Sequence, residues 1–124
     1  MIIFTVAVDP VAKPRMTQRD KWAKRPCVLE YWAYADTLRR ACQREQWMMP
    51  DSVQMQFLIP MPVSWAKKKR AAMELQPHQS KPDIDNLVKG VLDALRPLND
   101  SGIWRIQAEK RWAVDGLVIL EVLR

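Results

Sequence analysis

The chain has 124 residues, a formal net charge of +6 and 48% hydrophobic residues. This length predicts a single domain, covering residues 1–124, with a core of its own. The apolar fraction excludes a disordered chain, and no apolar run approaches the ~18 residues that a membrane span requires. The positive charge attracts polyanions, although many soluble proteins are basic for solubility alone.

A strand, a basic arm and a long helix are predicted in the first half of the chain. Residues 2–8 form an apolar run typical of a buried strand, and the run is too short for a secretory signal. Prolines in residues 10–26 predict an extended arm rather than a helix. Over about residues 29–48 the apolar spacing is helical, with one side formed by Trp32, Ala35, Leu38 and Cys42.

The second half predicts further strands and helices. Alternation around residues 53–59 indicates a strand, and Ser64 is expected to cap a short helix that runs to about residue 75. Residues 84–95 form the best amphipathic helix of the chain. Two final strands, at about 104–114 and 117–123, are predicted to form a hairpin through a turn at Asp115 and Gly116. The order βαβααββ indicates an α+β fold, in which helices pack on a mixed sheet.

Acidic residues gather around the start of the amphipathic helix. Pro82 favours an extended backbone before the helix, so we expect Asp83 in extended chain and Asp85 at or near the N-cap, with converging carboxylates. Lys89 lies one turn beyond Asp85 on the same face. Asp93 is about 12 Å of helical rise from Asp85, too far to share one ion. Asp100, beyond the end of the helix, is therefore the better third ligand.

Carboxylates in a basic chain indicate a divalent metal that acts on a polyanion. Magnesium prefers carboxylate oxygens and keeps several waters, and the bound ion activates water and stabilises a leaving alkoxide. Lys89 is suited to offset developing negative charge. The plainer interpretation is that the acids cap the helix and that Asp85 and Lys89 form a surface pair worth ~0.3–0.5 kcal/mol.

Several motifs of this sequence resemble those of the RusA-type Holliday junction resolvases. They are the string Lys81-Pro82-Asp83-Ile84-Asp85-Asn86-Leu87-Val88-Lys89, the following Leu92-Asp93-Ala94-Leu95, the step Asn99-Asp100 and the early Lys13-Pro14-Arg15. The resemblance spans most of the chain, and the long central string is its most specific part.

The resemblance implies a homodimeric, magnesium-dependent endodeoxyribonuclease of bacteria and their prophages. Such enzymes bind four-way junction DNA and nick two opposed strands symmetrically, in recombination and repair, and no organic cofactor is expected. By position, Asp83, Asp85 and Asp100 match the metal-binding acids and Lys89 matches the essential lysine. The family usually has Asp-Asp at the last acidic step, whereas this chain has Asn99 before Asp100, so Asp100 must serve alone.

Other residues are weaker candidates for contacts with DNA. Basic side chains expected to follow phosphates are Lys13, Arg15, Arg19, Lys21 and Lys81. Trp22 could stack on an exposed base, whereas Trp104 fits the strand alternation and is expected in the core. His78 is expected in a surface loop, and the alternative is a helper near the phosphate. The two cysteines have no metal-type spacing, which suggests structural roles and a reduced, cytoplasmic setting.

Two other functions remain open from the sequence. One is a non-enzymatic basic module that binds branched DNA or structured RNA, with the acids acting as helix caps. The other is a metal-dependent nuclease that cuts flaps or RNA. A requirement for magnesium separates an enzyme from a pure binding module, and the choice of substrate separates the nucleases.

Overall fold

The computed structural model describes residues 3–15, 25–96 and 100–124. The elements in chain order are β1 (Ile3–Val6), α1 (Pro26–Glu45), β2 (Ser52–Pro60), α2 (Lys67–Met73), α3 (Ile84–Leu95), β3 (Arg105–Ala113) and β4 (Leu117–Val122). A short 3₁₀ helix, Asp100–Gly102, precedes β3. The α+β class and the order βαβααββ are therefore confirmed. None of the helices in the described ranges has the length and apolar character of a membrane span.

The four strands form one mixed sheet in the order β1-β4-β2-β3. Strand β2 pairs with β3 in parallel and with β4 in antiparallel orientation, while β1 pairs antiparallel with the far side of β4. The predicted hairpin of the last two strands is wrong, because β2 lies between them. Val53, Met55 and Phe57 of β2 are fully buried, so each flanking strand gains a large apolar contact by pairing with β2.

The sequence Asp115-Gly116 has a different role from a hairpin turn. The short link between β3 and β4 passes the end of β2 and runs against the backbone of Asp9. A Cβ atom on Gly116 would lie 2.6 Å from the Cα atom of Asp9, which is closer than real Cβ atoms come. Glycine is needed here for the close approach of two backbone segments.

Helices α1 and α3 pack together on one face of the sheet and enclose the core. Leu38 of α1 and Leu87 of α3 are fully buried with Phe4, Phe57 and Leu120 of the strands. Two hydrogen bonds also tie the helices: the hydroxyl of Tyr31 donates to the carbonyl of Gly90 at 2.7 Å, and Arg39 Nε donates to the carbonyl of Ala94 at 2.8 Å. These contacts fix the position of α3 and of the residues at its start.

Several local predictions need correction. Helix α1 begins at Pro26 and buries Tyr31 and Tyr34, so its core face is rotated away from Trp32, which is 43% exposed. Helix α2 begins after Ala66 rather than at Ser64. Trp104 is 73% exposed instead of lying in the core. It precedes the first paired residue of β3, at the edge of the sheet, where the helices do not cover it.

Candidate active site

Asp83 and Asp85 lie at the start of α3. Asp83 is the N-cap residue, with an extended backbone (φ −70°, ψ 144°), and Asp85 is in the first helical turn. The prediction of an extended Asp83 and of a nearby Asp85 is therefore confirmed. The Asp83 carboxylate makes no capping hydrogen bond, and Asp85 Oδ1 accepts a bond from the neighbouring amide of Asn86 at 3.0 Å. The partial positive charge of a helix N-terminus favours carboxylates at this place.

Both carboxylates border one open cleft of 700 Å³, which we call the acidic cleft. Its lining residues are His78, Gln79, Ser80, Lys81, Asp83, Ile84, Asp85 and Lys110. The two aspartates are exposed, and neither forms an ion pair with any residue in the described ranges. Exposed carboxylate oxygens without a cationic partner are free to receive a cation from solution.

The other two predicted catalytic residues are Lys89 and Asp100. Lys89 is exposed one turn along α3 and is not part of the cleft lining. The backbone of Asp100 begins the 3₁₀ helix, whereas its side chain is outside what the structure describes, so its role as third ligand stays a prediction. Within the described ranges, no group of three or more His, Cys, Asp or Glu side chains is arranged to hold a metal ion.

His78 and Lys110 also line the acidic cleft. The sequence indicated a place near the phosphate for His78 only as the alternative interpretation, and it gave no prediction for Lys110. His78 is 3% exposed, so the prediction of a surface histidine is wrong. Its ring packs on Trp112 with a centroid distance of 4.0 Å, and its backbone N–H donates to the carbonyl of Lys110 at 3.0 Å. Burial lowers the pKa of His78, and the positive charge of Lys110 lowers it further.

Lys110 lies on the strand β3 and reaches the loop that precedes α3. Its ammonium donates to the carbonyls of Ser80 at 2.5 Å and of Pro82 at 2.7 Å. The alternation of β3 contained a usable signal, because Lys110 occupies the same side of the strand as Ala108 and Trp112. A lysine at an inward position of a strand must find partners for its ammonium.

The basic residues predicted to contact DNA are spread over different surroundings. Lys13 is largely buried, with its ammonium 3.3 Å from a carboxylate oxygen of Asp93 and 4.7 Å from the ring centre of Tyr31. Arg15 is exposed, and Lys81 is exposed on the rim of the acidic cleft. The remaining candidates, Arg19, Lys21 and Trp22, lie outside the described residues. Asp93 thus has a supporting role, since it holds the arm through Lys13.

Fold and cleft together define a basic α+β domain in which two carboxylates at a helix N-terminus have no ion-pair partner among the residues that the structure describes. Residues 7–122 match the model of the family described as Endodeoxyribonuclease RusA. The chain therefore belongs to the RusA endodeoxyribonuclease family, which supports the activity of a DNA endonuclease. It is also 35% identical over 123 residues to an uncharacterized protein of Bacillus subtilis (strain 168), YqaN. That alignment covers 88% of this chain and 86% of the relative.

Proposed function

We propose that this protein is a magnesium-dependent endodeoxyribonuclease that resolves four-way (Holliday) DNA junctions by paired symmetric nicks. The observation that carries the proposal is the pair of exposed carboxylates, Asp83 and Asp85, which share one open cleft and have no ion-pair partner in the described part of the chain. Membership of the RusA family supports the nuclease activity and the junction substrate. Recombination and repair, in a bacterial or prophage setting, are the processes that such an activity serves.

The donor set of the acidic cleft fits magnesium. This ion is usually bound through one or two carboxylates, keeps several of its waters and uses substrate phosphate as a further ligand. Asp83 and Asp85 supply two carboxylates on a cleft wide enough for water and a phosphate group. Asp100 is proposed as the third ligand. The interpretation of Asp83 as a simple helix cap is disfavoured, because its carboxylate makes no capping bond.

Each side chain of the site has a proposed part in the reaction. Asp83 and Asp85 hold the ion, and Asp100 completes its shell. When bound, the ion supplies an activated water and neutralises charge on the phosphate and the leaving oxygen. Lys81, exposed on the rim of the cleft, would bind a flanking phosphate of the strand. Lys89 would stabilise the negative charge that develops on the phosphate in the transition state.

A homodimer is part of the proposal. A four-way junction has two-fold symmetry and must be cut at two opposed strands, so two copies related by a two-fold axis match the substrate. Each copy would present one acidic cleft to one of the strands. The Lys13-Pro14-Arg15 arm and the positive charge of the chain would provide further contacts with the phosphate backbone.

The deciding experiment is cleavage of a labelled synthetic junction, with magnesium and with EDTA, beside linear duplex and flap controls. We expect paired symmetric nicks that require magnesium. Asp83→Asn should abolish cleavage while junction binding survives, because the change removes a metal ligand and leaves the fold intact. Asp36→Asn, on the exposed face of α1 where Asp36 pairs with Arg40, is the matched control and should cleave normally.

The outcomes separate the competing functions. A fully active Asp83→Asn enzyme would refute the proposed site. Tight junction binding by the wild-type protein with no cutting under any divalent ion would indicate a binding module. Cutting of flaps or duplex in place of the junction would keep the metal site and change the substrate.

A further inference from the structure

Lys110 has surroundings that are unusual for a lysine. It lies on the helix-facing side of β3, where Phe57 is its neighbour on β2 and Trp112 is the next residue on the same side. A charged group at such a position is costly unless hydrogen bonds satisfy it. The two carbonyls that satisfy it, from Ser80 and Pro82, belong to the short loop that leads into α3. Lys110 forms no ion pair with Asp83 or Asp85 among the residues that the structure describes.

Lys110 attaches this loop to the sheet at several points. Its carbonyl accepts a hydrogen bond from the backbone N–H of His78, and its ammonium donates to the carbonyls of Ser80 and Pro82. Two of the three ammonium donors are thus used on backbone oxygens. Lys110 thus makes three hydrogen bonds that connect β3 with the loop from His78 to Asp83.

The bond to Pro82 has a direct consequence for Asp83. The carbonyl of Pro82 and the amide nitrogen of Asp83 belong to the same peptide unit, which is planar. Holding that carbonyl fixes the orientation of the plane before Asp83, and the bond from the Leu87 N–H to the Asp83 carbonyl at 3.2 Å holds the plane after it. The two planes together set the backbone torsions of Asp83, and with them the direction of its Cα–Cβ bond. Asp83 has no capping bond of its own to hold its side chain, so its direction depends on these two peptide units, one of which Lys110 holds.

We infer that Lys110 is a positioning residue: it orients the Asp83 carboxylate for a divalent ion by holding the carbonyls of Ser80 and Pro82. This inference rests on the proposed metal site. It assigns Lys110 neither to the metal nor to the DNA, because its ammonium is directed at the loop backbone. Groups that orient metal ligands commonly change metal affinity by ~10–100-fold when they are removed.

The test measures metal binding without DNA. Mn²⁺, which shares the preference for oxygen ligands, is titrated into the full-length protein and followed by electron paramagnetic resonance, with Mg²⁺ as competitor. Lys110→Met keeps the length of the side chain and removes its donors. We expect its affinity for Mn²⁺ to fall by about tenfold or more. Lys110→Arg keeps a charged donor and should lose less affinity than Lys110→Met.

Arg111→Met is the matched control. Arg111 is the next residue on β3, and it also donates to a loop carbonyl, that of Leu75, at 2.8 Å. The change removes the same charge, a comparable bond and an ion pair with Glu109, but at a distance from Asp83 along the chain. Its affinity for Mn²⁺ should stay within about twofold of the wild-type value. Junction binding in EDTA should be unchanged for Lys110→Met, since no phosphate contact is lost.

Several results would overturn the inference. Equal affinity for Mn²⁺ in the wild type and in Lys110→Met would overturn it and leave the proposed function intact, provided that Asp83→Asn abolishes binding. If Arg111→Met lost as much affinity for Mn²⁺ as Lys110→Met, the loss would be a general effect of loosening the loop and would not be specific to Lys110. Weaker junction binding in EDTA with unchanged affinity for Mn²⁺ would make Lys110 a phosphate contact.

Failure of the proposed function is recognised separately. If the wild-type protein binds neither Mn²⁺ nor Mg²⁺ and Asp83→Asn changes nothing, the metal site and the inference both fall. Circular dichroism checks that each variant is folded. If Lys110→Met does not fold, Lys110→Gln, a neutral and shorter donor, replaces it, with the same expected loss of affinity and the same refuting result.

Discussion

Two tyrosines on helix α1 allow a sharp test of the contact that holds α3 in place. Tyr31 and Tyr34 are both buried, with 3% and 2% of their surface exposed. The hydroxyl of Tyr31 donates to the carbonyl of Gly90 in α3 at 2.7 Å. The hydroxyl of Tyr34 has no hydrogen-bond partner among the described residues, although the backbone of Val11 lies near it. The two side chains thus differ in one interaction.

Replacing each tyrosine by phenylalanine should therefore change stability in different directions. Tyr31→Phe removes one buried hydrogen bond, which is worth ~0.5–1.5 kcal/mol net. The carbonyl of Gly90 lies inside α3 and keeps its helical partner, so we expect a loss of about 1 kcal/mol rather than the full cost of an orphaned acceptor. Tyr34→Phe removes a hydroxyl that is buried without a partner, so its free energy of unfolding should stay equal or rise by up to about 1 kcal/mol.

Urea denaturation followed by tryptophan fluorescence measures both effects, and the m-value shows whether the comparison is valid. For a domain of this size, a loss of 1 kcal/mol lowers Tm by about 3–5 °C. Junction cleavage should be unchanged in both variants, since neither hydroxyl lines the acidic cleft. The reasoning fails if Tyr31→Phe is as stable as the wild type, or if Tyr34→Phe loses more stability than Tyr31→Phe.

Two further changes test the arm and the cleft. Lys13 and Asp93 are 19% and 30% exposed, so Lys13→Met should cost about 1–2 kcal/mol by leaving a half-buried carboxylate unpaired. A double-mutant cycle with Asp93→Asn in urea measures the coupling, and strictly additive losses would contradict the pairing. For His78 the pKa is lowered in the folded state, so the unfolded chain binds more protons below pH ~6.5 and stability falls as pH decreases from there. His78→Gln should flatten the dependence of the unfolding free energy on pH between 7.5 and 5.5, and an unchanged slope would show that His78 does not cause it.

The acidic pair could be predicted because its geometry is local. The apolar period of α3 set the helix at residues 84–95, which are the residues that the structure places in Ile84–Leu95. Pro82 then indicated an extended backbone before the helix, so Asp83 was expected where the extended chain ends and Asp85 where the helix begins. Each step involved neighbours within a few positions, so no tertiary contact was needed to bring Asp83 and Asp85 to one cleft.

The choice of the side of α1 that faces the core shows where local sequence patterns fail. Apolar and aromatic side chains occur on more than one side of this helix, so spacing alone favoured Trp32 as a core residue. The core instead takes Tyr31 and Tyr34, because Tyr31 reaches the backbone of α3. The choice between two possible faces depends on a partner that is far along the chain.

The wrong hairpin, the wrong surface position of His78 and the missed Lys110 have one cause, the partners of β3. On one side β3 pairs with β2, and on the other it bonds to the loop at residues 75–78. The loop amide of Leu75 donates to the carbonyl of Trp112 at 2.8 Å, and the amide of Trp112 donates to the carbonyl of Gln76 at 3.0 Å. The loop thus covers part of a sheet edge that would otherwise be open.

The same bonds build the acidic cleft. Pairing along β3 carries the loop inward at His78, whose ring packs on Trp112, and places the Lys110 ammonium under the backbone that leads to Asp83. In a β3–β4 hairpin, β4 would occupy an edge of β3 that the structure gives to β2 or to this loop. Local sequence patterns predicted the positions of Asp83 and Asp85 but not the order of the strands. That strand order is what brings His78 and Lys110 to the same cleft as the two aspartates.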